Sequence, residues 1–157
     1  MEHSTQPRHG MPYLRLHAMV LLSFLTMYVL MYAMVDRLGN VLPNLNQFYM
    51  AGLMAAPMAI LELTVMRGMY PNRKANAILI AISIAAMLGF WFGIREQAGV
   101  GDRQLLKSMI PHHAGAVLMC QRAELSDPDN RALCASIVAG QQAEIERMKA
   151  QLASTER

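Results

Sequence analysis

Charge is scarce in this sequence: only 16% of its 157 residues are Asp, Glu, Lys or Arg, and long stretches hold almost none. No alternating polar–apolar run reads as a strand, and there is no internal repeat and no low-complexity segment. Those absences leave an all-α chain. No basic stripe with interleaved aromatics accompanies the sequence pI of about 9.1, so nucleic acid is not an expected partner. No small-x-small cleavage site lies between the first apolar run and Asp36, and that run is too long for a signal-peptide core. Cysteine is confined to Cys120 and Cys134.

What is abundant is apolar surface. Hydrophobic residues make up 54% of the chain and gather in three runs, residues 14–35, 48–66 and 75–94. At about 1.5 Å rise per residue, a helix needs ~20 residues to cross a ~30 Å hydrocarbon core. Each run is about that long and lacks the polar stripe of a helix in a water-soluble bundle. The expected division is a disordered cytoplasmic lead over 1–13, a three-helix transmembrane domain over 14–95, and a helical hairpin over 96–157. The net charge of +3 belongs to the first part, because from Arg95 onward eight basic residues balance eight acidic ones. Arg8 and Arg15 precede the first run, and Arg67, Arg73 and Lys74 separate the second and third. The positive-inside rule then sets the N-terminus in the cytoplasm and the C-terminal domain outside a bacterial inner membrane, with lipid as one partner.

After a hinge expected at residues 95–101, Asp102 is a candidate N-cap for a helix over 103–125. Asp127 and Pro128 then announce a second helix over 129–152. So short a connection makes the pair an antiparallel hairpin. Helical spacing puts Leu105, Met109, Ala116 and Cys120 on one face of the first helix, with His113 on it and His112 and Met119 at its shoulder. The facing stripe is Leu133, Ile137, Val138, Ile145, Met148 and Leu152, interrupted by Gln141 and edged by Glu144. A register summing to about 253 brings the polar exceptions of the two helices to one height.

Two adjacent histidines with methionine at −3 and +7 of His112 offer imidazole and thioether donors, which suit copper, Cu(I) above all. Gln141 and Glu144 can orient the ring nitrogens or add an oxygen ligand, while Met148 reads as core. Adjacent side chains diverge by about 100° on a helix, so one ion need not take both histidines. The second is free to face another subunit or the membrane domain. The competing reading is a structural pair, with histidine bonded to Gln or Glu to set register.

The segment 102–152, with Met109-x-x-His112-His113-x-x-Ala116-x-x-Met119 and Gln141-x-x-Glu144-Ile145-x-x-Met148, resembles the family catalogued as domain of unknown function 305. The resemblance implies a ferritin-like helical domain with copper-associated members, with Met109, His112, His113 and Met119 as ligands. Gln141, Glu144 and Met148 form its second motif. A ferritin-like four-helix bundle needs two hairpins and this chain has one, so either two chains pair, as a homodimer or larger homo-oligomer, or the site is open and shallow. A di-iron oxidase is disfavoured because the sequence has no Glu-x-x-His. A b-type haem is disfavoured because no histidine pair spans two membrane helices.

Three features stay open at this level. Cys120 and Cys134 can form a disulfide, lend a thiolate to copper, or pack as two small apolar groups. Met50, Met54, Met58 and Met66 wind along the second run, and Met27, Met31 and Met34 line the first. They read either as packing or as a thioether ladder for Cu(I). Gly52 and Ala56 suit helix packing or dimerisation, Pro57 can kink the second helix, and Glu62 either snorkels toward Arg67 or faces a partner. His17 reads as interfacial, and Met1-Glu2-His3 resembles an amino-terminal Cu(II) clip. The expected function is non-enzymatic: copper sequestration or transfer at the outer membrane face. The alternative is a metal-free interaction module in which the hairpin dimerises or docks a partner. A reporter fused after Arg157 is expected to score as extracytoplasmic, and a cytoplasmic signal would overturn the orientation.

Overall fold

Long apolar helices carry the first half of the chain. The computed structural model describes residues 11–155, which hold α1 (Met11–Leu30), α2 (Leu45–Val65) and α3 (Arg73–Arg95), followed by α4 (Asp102–Arg122) and α5 (Pro128–Ser154). No strand occurs among the described residues. α1 continues into a 3-10 turn, Met31–Met34, and with it α2 and α3 make three helices long and apolar enough to cross a membrane. α1 already begins at Met11, inside the segment expected to be a disordered lead. The rest of that lead, with the Met1-Glu2-His3 clip, lies outside the described residues.

Capping shifts the other boundaries. Asn44 Oδ1 accepts from Gln47 N at 2.9 Å, and Asn72 Oδ1 accepts from Lys74 N and Ala75 N at 3.1 Å each, so α2 and α3 start before their apolar runs do. α2 packs against both α1 and α3 through small residues: Gly52, Ala55, Ala56 and Ala59 are buried. The Phe90 ring of α3 lies where a side chain on Gly52 would stand, so this small-residue face is used inside the bundle. By contrast Leu21, Leu22, Leu25 and Val29 of α1 and Ile78, Ile82 and Leu88 of α3 are exposed. So extensive an apolar exterior fits contact with lipid.

Between α3 and α4 the chain makes a fastened turn rather than a loose hinge. Gln97 and Gly99 adopt positive φ (48° and 69°). Tyr49 Oη donates to Ala98 O at 2.7 Å, and the Asn46 and Gln97 amides exchange hydrogen bonds of 3.0 and 3.2 Å. α4 starts with Asp102 in its first turn, capped by the Gly101 backbone, and stops at Arg122, three residues short of the expected end. Asp127 Oδ1 accepts from Asn130 N at 2.9 Å and starts α5 one residue ahead of the expected position, at Pro128. α4 and α5 run antiparallel and are joined by a Cys120–Cys134 disulfide, with Cα atoms 5.2 Å apart. Closing a loop of this size stabilises a fold by about 3 kcal/mol. The bond also removes both thiolates as metal donors.

The apolar seam of α4 is rotated from the expected one. Ile110, Ala114 and Val117 are fully buried against Ile145, with Val138, Met148 and Leu152 around them, whereas Leu105 and Leu133 are exposed. Val35 and Leu42, from the connection between α1 and α2, complete that cluster. The expected face assumed a hairpin with one partner. In the structure α4 has a second, because Ser108, Pro111 and Gly115 are buried as well, on the side of that connection and the neighbouring helix ends.

Polar contacts fix the connection to α4. Ser108 Oγ donates to Asn44 Oδ1 at 3.3 Å, and Leu45 N donates to Gln104 Oε1 at 3.2 Å. Within the connection, the fully buried Asn40 donates its amide to Asp36, and Arg37 Nε donates to the same carboxylate at 3.0 Å. Burial pulls the Asp36 carboxyl upward, but the hydrogen bonds from Asn40 and Arg37 and the Arg37 charge outweigh it and hold it below its ordinary value. The stability from this carboxylate is therefore fully present above that ordinary value and is lost as pH falls through the lowered one, below about pH 4. Amide hydrogen exchange over residues 36–44, corrected for intrinsic rates, is expected to accelerate between about pH 6 and about pH 3, and to do so less in Asp36→Asn.

Candidate metal centre

The two adjacent histidines of α4 have different environments. His113 is buried; its Nδ1 donates to Met109 O one turn back at 2.9 Å, and its Nε2 lies 2.9 Å from Glu144 Oε2 on α5. A carbonyl oxygen only accepts, so Nδ1 carries a hydrogen. Both ring nitrogens of His113 are therefore engaged, Nε2 with the Glu144 carboxylate. His112 is exposed, and neither ring nitrogen has a hydrogen bond among the described residues. The two ring centroids stand 6.1 Å apart at an interplanar angle of 62°.

The expected site residues thus fall into two groups. Met109, His112 and Met119 line a cleft of about 530 Å³ on the side of α4 away from the hairpin core. His113, Gln141, Glu144 and Met148 lie toward α5. Glu144 partners His113, and Met148 packs beside the Ile110–Val117 cluster. Gln141 Oε1 is enclosed with no hydrogen-bond partner among the described residues. Glu144 pairs with His113, so the hairpin is a few residues out of the simple register, while Cys120–Cys134 matches it within one residue.

Opposite α4, the cleft is lined by Met31 and Met34 from the end of α1 and by Met50 near the start of α2. Five thioethers and one imidazole therefore share one cavity. No Asp, Glu, Lys, Arg or Cys side chain among the described residues lines it. Among the described residues no group of three or more His, Cys, Asp or Glu side chains is gathered to hold a metal. The donors the cleft offers are neutral: thioether sulfur, the imidazole, and the amide and hydroxyl groups of Asn44, Asn46, Gln47 and Ser108. The sequence displays Met31, Met34 and Met50 as parts of stripes, but only the docking of α4 brings them to His112.

At the far end of the long helices, Glu62 takes its hydrogen bond from Tyr70 Oη at 3.1 Å. Burial, the hydrogen bond to Glu62 and the Glu62 charge push the Tyr70 phenol up, so it remains a donor. Tyr13 Oη donates to Asn76 Oδ1 at 2.8 Å nearby, and His17 is exposed with Nδ1 donating to Tyr13 O at 2.6 Å.

Residues 93–152 match the family described as domain of unknown function (DUF305). A protein of Acanthamoeba polyphaga mimivirus, described as uncharacterized protein L153, is 32% identical over 133 residues, which is 83% of this chain and 86% of that protein. The chain belongs to the DUF305 family. The viral likeness is too long to be confined to the hairpin and reaches into the long-helix half of this DUF305 protein. No solved structure matches the chain. Within the DUF305 segment lie Met109, His112 and Met119; Met31, Met34 and Met50 precede it.

Replacing Glu144 by Ala removes the partner of a buried ring nitrogen. A hydrogen bond to a charged group is worth about 1.5–3 kcal/mol, and the 55% exposure of the Glu144 side chain reduces that to about 1 kcal/mol. Glu144→Ala is therefore expected to lower the denaturation midpoint modestly while leaving the cleft residues in place, as read from chemical denaturation in detergent.

Proposed function

We propose that this chain is a membrane-anchored, non-enzymatic copper-handling protein that holds Cu(I) in the cleft beside α4. The observation that carries the reading is His112, whose ring nitrogens are unengaged among the described residues, sharing a cavity with the thioethers of Met109 and Met119. Imidazole and thioether are the soft neutral donors that Cu(I) prefers. An uncharged cavity is also less costly for a monovalent ion than for a divalent one, which would need carboxylate or thiolate to balance it. His113 then acts through Glu144 and Met109 to hold α4 in register rather than as a ligand.

Orientation follows from charge. Arg67, Arg73 and Lys74 lie at the end of the long helices remote from the cleft, and the positive-inside rule assigns that end to the cytoplasm. The cleft and hairpin then stand at the outer face, where an oxidising compartment suits the Cys120–Cys134 bond. In that position the protein sequesters copper or passes it on.

One observation favours the alternative, an interaction module without metal: the His113–Glu144 pair is the bonded, register-setting histidine such a module would need. The two readings part at His112. In a Cu(I) titration of the detergent-purified chain against a chromophoric chelator, His112→Ala is expected to weaken binding at least about tenfold, or ~1.4 kcal/mol. Glu144→Ala should stay within about threefold of the unsubstituted protein. Equal binding by His112→Ala would return the histidines to a structural role.

A further inference from the structure

Helix geometry limits what α4 can do alone. Met109 and Met119 are ten residues apart, a separation of about 15 Å along the axis, and Met119 lies about 10.5 Å beyond His112. One helix cannot converge all three donors on a single ion. Met109 and His112, one turn apart, can share one; the remaining donors must come from elsewhere.

The opposite wall offers them. Met31 and Met34 lie where α1 ends in its 3-10 turn, and Met50 lies in the second turn of α2. The walls touch at Gly115, where a Cβ would stand 3.5 Å from Met34 O, in ordinary van der Waals contact. The other stripe methionines do not reach the cleft. Met54, Met58 and Met66 are not among its lining residues, and Met27 lines a separate groove on α1. This arrangement is a cluster at one end of the long helices, not a ladder along them.

We infer that Met31, Met34 and Met50 supply thioether ligands that complete the Cu(I) site, so that the ion bridges the long-helix unit and the hairpin. The inference rests on the copper reading and deepens it: a bridging ion ties metal occupancy to the docking of α4. Its donors are all neutral, so they favour a soft monovalent cation, Cu(I) or its redox-inert analogue Ag(I).

The test is anaerobic Cu(I) competition on the full chain in detergent, with X-ray absorption to count sulfur neighbours. It compares the native protein, His112→Ala, and the triple variant Met31→Leu/Met34→Leu/Met50→Leu, whose substitutions conserve volume. The expected result is a loss of affinity of about fivefold or more in the triple variant, with fewer sulfurs per copper and the imidazole retained. A smaller loss in the triple variant, with binding still lost in His112→Ala, would overturn the bridging site and leave the copper reading intact. Binding unaffected by His112→Ala would remove that reading and this inference together. If the triple variant loses helicity, Met34→Leu and Met50→Leu decide singly. Each is expected to weaken binding about threefold or more, and no change in either would overturn the site.

Discussion

The burial of α4 on two sides governs the rest of the structure. One side carries Ile110, Ala114 and Val117 into the hairpin core against Ile145, and fully burying an aliphatic side chain of this kind stabilises by about 1.5–3 kcal/mol. The other side presents Ser108, Pro111 and Gly115 to the first connection and the neighbouring ends of the long helices. Small and imino side chains there let backbone approach backbone, as at Gly115 and Met34. A hairpin buried on one side only would leave Val35 and Leu42 without their cluster.

That double burial also separates the two histidines. Adjacent positions on a helix point about 100° apart, so a helix enclosed from two directions sends one histidine each way. His113 goes toward α5 and is satisfied by Met109 O and Glu144. His112 goes toward the long helices and meets methionines. The pattern His-His thus has two environments, one bonded across the hairpin and one facing the cleft. The first connection joins the hairpin core as well: its Val35 and Leu42 pack on the cluster, and its Asn44 receives Ser108.

The chemistry of the cleft is decided by which side chains are missing from it as much as by those present. Both cysteines are joined in a disulfide, Glu144 is bonded to His113, and no carboxylate of the described residues lines the cavity. What lines it is five thioethers, the His112 imidazole, the side-chain amides of Asn44, Asn46 and Gln47 and the Ser108 hydroxyl, all neutral groups. This composition would not follow from a tally of residue types along the chain, which holds fifteen methionines.

Local patterns make much of the molecule legible. Run length and lack of charge locate the three long helices within a few residues, because hydropathy is a local property; side-chain caps such as Asn44 and Asn72 account for the difference at the starts of α2 and α3. Asp127-Pro128 locates the start of α5 within one residue for the same local reason. Periodicity misplaces the seam of α4, since it reports how apolar a face is and not how many neighbours the helix has; Leu105 is expected inside and is exposed. Local pattern accounts for the helices, their order and the residue types they carry. Packing between distant segments joins Cys120 to Cys134, engages His113 with Glu144, and sets Met31, Met34 and Met50 across the cleft from His112. Those pairings are set by how α4 docks against α5 and against the ends of the long helices, and no local pattern encodes them.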